Sequence, residues 1–135
     1  MLEEIELYKS KQADFGFETT LSGRRYLGLI RELKKAGYQV HIFFLWLPTV
    51  EMALSRIKDR VLHGGHDVPE ADVRRRFDRS NRNFISQYRP LADSWLLYNG
   101  AVRPPSLIAF KEAGPLRIMN QSVYQTIYGR YEEID

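Results

Sequence analysis

Two hydrophobic periods run through the chain, one near 3.6 residues and one shorter, and they divide it into helices and strands. Residues 1–12 read as the back end of a helix. Leu2, Ile5 and Tyr8 share a face there, and acidic residues precede the lysines, as the helix dipole favours. A short strand is expected over 14–18, feeding the polar turn Glu18-Thr19-Thr20. Ser22 is placed to cap a helix reaching about Ala36, with Tyr26, Leu29, Ile30 and Leu33 on its apolar face and Gly37 at the left-handed position beyond it. Val40 to Leu47 (VHIFFLWL) is almost wholly apolar, which predicts a strand buried on both faces and hence a parallel sheet covered by helices. Pro48 stops it, and Thr49 can cap a helix from Val50 to about Leu62.

A glycine-containing loop at 63–68 follows, and Pro69 suits the first turn of the next helix. On that helix Val73, Phe77, Phe84 and Tyr88 keep inward spacing, while Arg75, Arg79 and Arg82 form a different stripe, and Pro90 ends it. Trp95 to Tyr98 and Leu107 to Phe110 read as strands joined by the Pro104-Pro105 loop, and Ser122 to Glu133 as a terminal helix. The order of elements is that of an α/β protein.

Composition narrows the picture. At 135 residues, with 44% hydrophobic and 27% charged residues, the chain reads as one soluble globular domain. The absence of Cys excludes disulfides, thiolate metal sites and a thiol nucleophile. A net charge of +3, carried by arginine-rich helices, permits a polyanionic partner without requiring one. No signal peptide is evident, and the longest apolar run falls far short of the roughly 20 residues that span a bilayer, so a cytoplasmic protein without membrane contact is expected.

Two constellations carry candidate chemistry. At a strand end feeding a helix, where open α/β sheets bind ligands, Glu18 offers a carboxylate, Thr19, Thr20 and Ser22 offer hydroxyls, and Arg24 and Arg25 offer cations. The bland reading of the same residues is a polar turn that caps a helix. Around the 63–68 loop, Arg56, Arg60, Arg74, Arg75 and Arg76 are placed to converge on phosphate oxygens, with the loop as a lid over 63–76. Their bland reading is a solvated basic face. His41, His63 and His66 read as poor candidates for catalysis or metal binding. Asp67 reads as a loop anchor.

Four segments together resemble the zeta-toxin-like P-loop kinases, small predicted ATPases of bacteria. They are FGFETTLSG at 15–23, KKAGYQVHIFFLWLP at 34–48, GGHDVPEADVRRRF at 64–77 and YRPLADSWLLYNG at 88–100. The resemblance covers nearly the whole chain up to about Gly114. It implies a three-layer fold with a mainly parallel sheet and helices on both faces. It also implies binding of ATP and Mg2+, and phosphoryl transfer to a small hydroxyl-bearing substrate, a nucleotide-activated amino sugar in the zeta toxins. By resemblance Glu18, Thr19 and Thr20 match the substrate-binding strand end, with Ser22 and Arg24 beside it. Arg56, Arg60, Arg75 and Arg76 are the candidates for phosphate contacts, with Arg60 and Arg76 preferred, and Asn99 would lie near the adenine.

The chain departs from that pattern in one respect. It has no GxxxxGK[ST] motif, whose backbone N–H groups and Lys cradle phosphates. It reads as the C-terminal two-thirds of such a domain, starting at an internal Met and lacking the P-loop strand, its helix and the acidic base. Phosphoryl transfer by the chain alone is therefore expected to be nil. The strands at 15–18 and 40–47 should either pair directly or leave unpaired backbone, so a marginally stable or self-associating chain is expected. Alternatives are a composite kinase completed by a partner chain, an antitoxin contact, or a non-catalytic basic module binding nucleic acid through 73–83. The apolar stripe between those arginines and the lack of exposed stacking aromatics argue against nucleic acid.

Overall fold

The computed structural model describes residues 2–19 and 21–131. Its order is α1 (Leu2–Ser10), α2 (Arg25–Lys35), β1 (His41–Trp46), α3 (Val50–Leu62), α4 (Glu70–Asn83), β2 (Ser94–Asn99), β3 (Ser106–Lys111), β4 (Arg117–Ile118) and α5 (Gln121–Tyr131). The architecture is mixed α/β.

The four strands form one sheet in sequential order. β1 runs parallel to β2, while β2–β3 and β3–β4 are antiparallel. The expected mainly parallel sheet is therefore corrected to a mixed one. Only β1 and β2 are joined by a helical crossover, which a parallel pair requires, and the Gly100–Pro105 connection folds β3 straight back.

Local signals in the sequence account for the helix ends. Gly37 takes φ +96° beyond α2. Its N–H reaches the Lys34 carbonyl at 3.1 Å and the Tyr38 N–H reaches Leu33 at 3.0 Å, the paired bonds that satisfy orphan carbonyls at a helix end. The Thr49 hydroxyl accepts from the Met52 N–H at 3.2 Å, as its position predicts. α4 does not stop at a clean cap. It widens into a π-helical turn at Phe84–Tyr88 and closes with a 3-10 turn at Arg89–Leu91.

One hydrophobic cluster draws Leu27 and Ile30 from α2, Phe84, Ile85 and Tyr88 from the π turn, Trp95 and Leu97 from β2, Ile108 and Ala109 from β3, and Tyr124, Ile127 and Tyr131 from α5. The Phe84 ring stacks on Phe44 at 4.3 Å and meets Trp95 edge-on at 5.9 Å. Two polar groups inside it differ in fate. Asn81 donates to the Phe77 carbonyl at 3.0 Å and to the Tyr131 hydroxyl at 3.2 Å. The Trp46 indole N–H is buried without a partner among the described residues, a cost of about 1–3 kcal/mol.

Two further expectations are corrected. Residues 13–19 carry no regular secondary structure, so the strand at 14–18 is absent. Its aromatics pack locally, Phe15 on Tyr8 and Tyr38, and Phe17 on Tyr26. β1 is not buried on both faces either. Ile42, Phe44 and Trp46 turn inward, whereas Phe43 is 70% exposed and Leu45 52% exposed. A wholly apolar strand cannot report which of its faces is covered, because the alternation that would show it is missing.

Candidate functional site

The turn between residues 18 and 24 is built from the far side of the molecule. Leu21 is buried, with φ +55°, a left-handed conformation that costs a non-glycine residue roughly 1–3 kcal/mol unless its surroundings hold it. They do. The Leu21 N–H bonds to the Thr19 hydroxyl at 3.2 Å, and its carbonyl accepts from the Asn83 side-chain amide at 2.7 Å. The next carbonyl but one, Gly23, accepts from the Tyr88 hydroxyl at 2.9 Å and from Asn83 at 3.4 Å. Asn83 ends α4 and Tyr88 ends the π turn, so both elements clamp the turn against themselves.

The clamp leaves a groove of about 460 Å³. Ser22, Gly23 and Arg24 line one wall; Arg79, Arg82, Asn83, Ser86 and Gln87 line the other. Three arginines thus meet in one cavity. Among the described residues none of the three forms an ion pair, whereas Arg74 and Arg75 on the same α4 do. The start of α2 opens onto the same place. Arg24 stands at its N-cap without a side-chain cap, and the first turn carries no acidic residue. The positive end of the helix dipole is therefore not neutralised locally, which favours an anion there. The π-helical turn at the rim belongs to a class of distortion that is frequent at functional sites.

The structure brings only part of the sequence-derived set together. Ser22 and Arg24 line the groove. Thr19 is spent on the turn itself, Glu18 is exposed beside it, and Thr20 lies outside the described residues. Ser22 does not act as the N-cap of α2, which begins three residues later.

Of the arginines expected around the lid, Arg56, Arg74 and Arg75 are engaged by the protein itself. Arg56 donates to the Gly100 carbonyl, tying α3 to the end of β2. Arg75 pairs with Asp72 at 2.9 Å. Arg74 bridges Glu70 at 2.9 Å and Glu51 at 3.4 Å, joining α4 to α3, and the Glu70 hydrogen bond is the main reason its pKa is raised. Arg60 and Arg76 are exposed and line neither cavity. Asn99 accepts from the Ala101 N–H at 2.9 Å and so shapes the turn after β2. Helical spacing puts these arginines on faces, but their acidic neighbours decide where the guanidinium groups go.

The loop at 63–68 is locally anchored. The Gly65 N–H bonds to the Arg60 carbonyl at 2.7 Å, and a Cβ on Gly65 would lie 2.9 Å from that oxygen. Asp67 accepts from the Val68 N–H at 2.9 Å, the anchoring role expected of it. His41 bonds to the Ser94 hydroxyl at 2.5 Å and His63 to the Asp59 carbonyl at 2.7 Å.

A second cavity of about 470 Å³ lies by Arg89, Trp95, Lys111 and Tyr128. There the Arg89 guanidinium sits 5.4 Å from the Trp95 ring and 4.9 Å from the Tyr128 ring, and donates to both the Tyr124 and Tyr128 hydroxyls. Burial works against this cation and the two phenols offset it, so its pKa is raised. The arrangement accounts for the arginine as packing between α5 and the sheet.

What the groove residues missed by the sequence share is distance along the chain. Arg79 and Arg82 were visible as a stripe, but nothing local says that it faces a turn some 60 residues earlier. Asn83 gave no signal at all.

Comparison with known proteins adds little. No family model matches the chain, and no solved structure matches it. A 63-residue stretch, 47% of the chain, is 38% identical to an uncharacterized protein of Haemophilus influenzae, and the match spans 45% of that relative's length.

Proposed function

We propose that the chain binds a phosphorylated small molecule, with its phosphates held between Arg24, Arg79 and Arg82. The observation that carries this reading is the meeting of three arginines that, among the described residues, have no ion-pair partner, at the N-terminus of α2, whose first turn carries no acidic residue. Guanidinium groups match phosphate oxygens in pairs, and Ser22, Ser86 and Gln87 add neutral hydrogen-bonding groups around them.

The resemblance to zeta-toxin-like kinases supplies the ligand class. On that reading the ligand is ATP or a nucleotide-activated sugar, and the fold is a P-loop-kinase-like one. The chemistry implied is phosphoryl transfer to a hydroxyl. In this proposal the chain contributes binding and not turnover, because the sequence offers no GxxxxGK[ST] cradle. Protein-held magnesium does not fit either. Among the described residues no three His, Asp or Glu side chains gather as a ligand set, so the proposal derives no step through the ion.

Calorimetric titration with ATP and with inorganic tripolyphosphate tests the reading. Both should bind, and Arg79→Ala should weaken each about tenfold, as expected for the loss of one hydrogen bond to a charged group. Absence of heat with both ligands would overturn it. Binding of a single-stranded oligonucleotide with steep salt dependence, and none of ATP, would favour the basic-module alternative.

A further inference from the structure

Among the described residues the outer edge of β1 is unpaired, and it points to a second site, independent of the groove. The carbonyl of Val40 accepts from Asp93 and Ser94 at 2.8 and 3.3 Å, and that of Trp46 from Gly100 at 2.7 Å, so both face β2. Backbone groups alternate sides along a parallel strand. Ile42 and Phe44 therefore also face β2, while His41, Phe43 and Leu45 turn their N–H and C=O groups to the open edge. β1 stands last in the sheet. No Lys, Asp, Glu or Pro protects the strand HIFFLW, and its ladder with β2 has no bulge, although natural edges ordinarily use such devices to avoid pairing.

We propose that β1 pairs with β1 of a second copy, antiparallel about a two-fold axis at Phe43. In this register Phe43 lies opposite Phe43 of the other copy and His41 opposite Leu45. All three outward residues then exchange both of their backbone hydrogen bonds, which closes the edge with no unmatched group. A second copy suits this edge better than a charged partner. Each chain carries +3 overall, yet β1 contains no charged residue, so the contact brings no like charges together and offers an ionic partner nothing to match. The side chains agree. Phe43 is 70% exposed and extends on the same face as the half-buried Leu96 and Phe110, its neighbours in register across the sheet, and Leu45, 52% exposed, lies beside the half-buried Tyr98. One strand edge buries less than the roughly 1,200 Å² at which stable interfaces begin, so the dimer is weak and forms with rising concentration.

Sedimentation velocity over a concentration series tests this, with Phe43→Lys and Leu62→Lys alongside wild type. Leu62 is 82% exposed on α3, outside the sheet, so both variants replace exposed side chains and should melt like wild type. Wild type and Leu62→Lys should shift toward dimer mass, and Phe43→Lys should raise the dissociation constant at least about tenfold. Amide exchange should slow with concentration at His41, Phe43 and Leu45 and not at Ile42 and Phe44. A wild type that stays monomeric at all concentrations would overturn the proposal and leave the edge to a different chain. Equal dimerisation of Phe43→Lys would overturn it as well.

Discussion

Leu21 shows how a single residue can be held in an unfavourable conformation by distant ones. Its positive φ is offset by its buried side chain, by the Thr19 hydroxyl and by the Asn83 amide, which lies 62 residues away. The sequence shows the polar turn and its cations, because Thr, Ser, Gly and Arg in a row have few other uses. It does not show Asn83, since an amide at a helix end reads as an ordinary surface residue. Asn83→Ala should therefore act on two properties at once. It removes the bonds to Leu21 and Gly23 and should lower stability by about 1–2 kcal/mol in denaturant unfolding. It should also weaken tripolyphosphate binding, because the wall that carries Arg24 loses its anchor.

Among the elements, the helices and the strands β1, β2 and β3 were legible, whereas the strand directions and the exposed face of β1 were not. Val73, Phe84 and Tyr88 point inward as their spacing predicts, and Gly37 and Thr49 end or start helices for stated local reasons. β1 misled because a uniformly apolar strand has no polar face to mark its exposed side. Residues 13–19 misled because local propensity cannot supply a pairing partner, and among the described residues none pairs with them. The helical layer makes a pH prediction. Tyr88, Tyr124 and Tyr131 are all raised above the ordinary phenol value of 10.0, with burial the largest cause in each. A phenol raised in the folded state contributes stability that is complete below pH 10 and is lost as pH climbs through its folded value. Unfolding midpoints should hold steady below pH 10 and fall above it. Tyrosinate absorbance should show these three of the eight tyrosines ionising only as the fold is lost.

For the whole molecule, charge distribution matters more than charge. The net excess is only +3, yet ion pairing is uneven. Arg74 and Arg75 are neutralised, Arg74 also joining α4 to α3, while Arg24, Arg79 and Arg82 share one groove at a helix N-terminus. That asymmetry is what makes this groove, and not the 63–76 segment, the site of phosphate binding in this account. The most direct measurement is nuclear magnetic resonance of the arginine side chains during titration with ATP. The account predicts that the guanidinium signals of Arg24, Arg79 and Arg82 move together and saturate at one ligand per chain, while those of Arg56, Arg74 and Arg75 stay in place. Movement confined to Arg56, Arg60, Arg75 and Arg76, with the groove arginines unmoved, would contradict it.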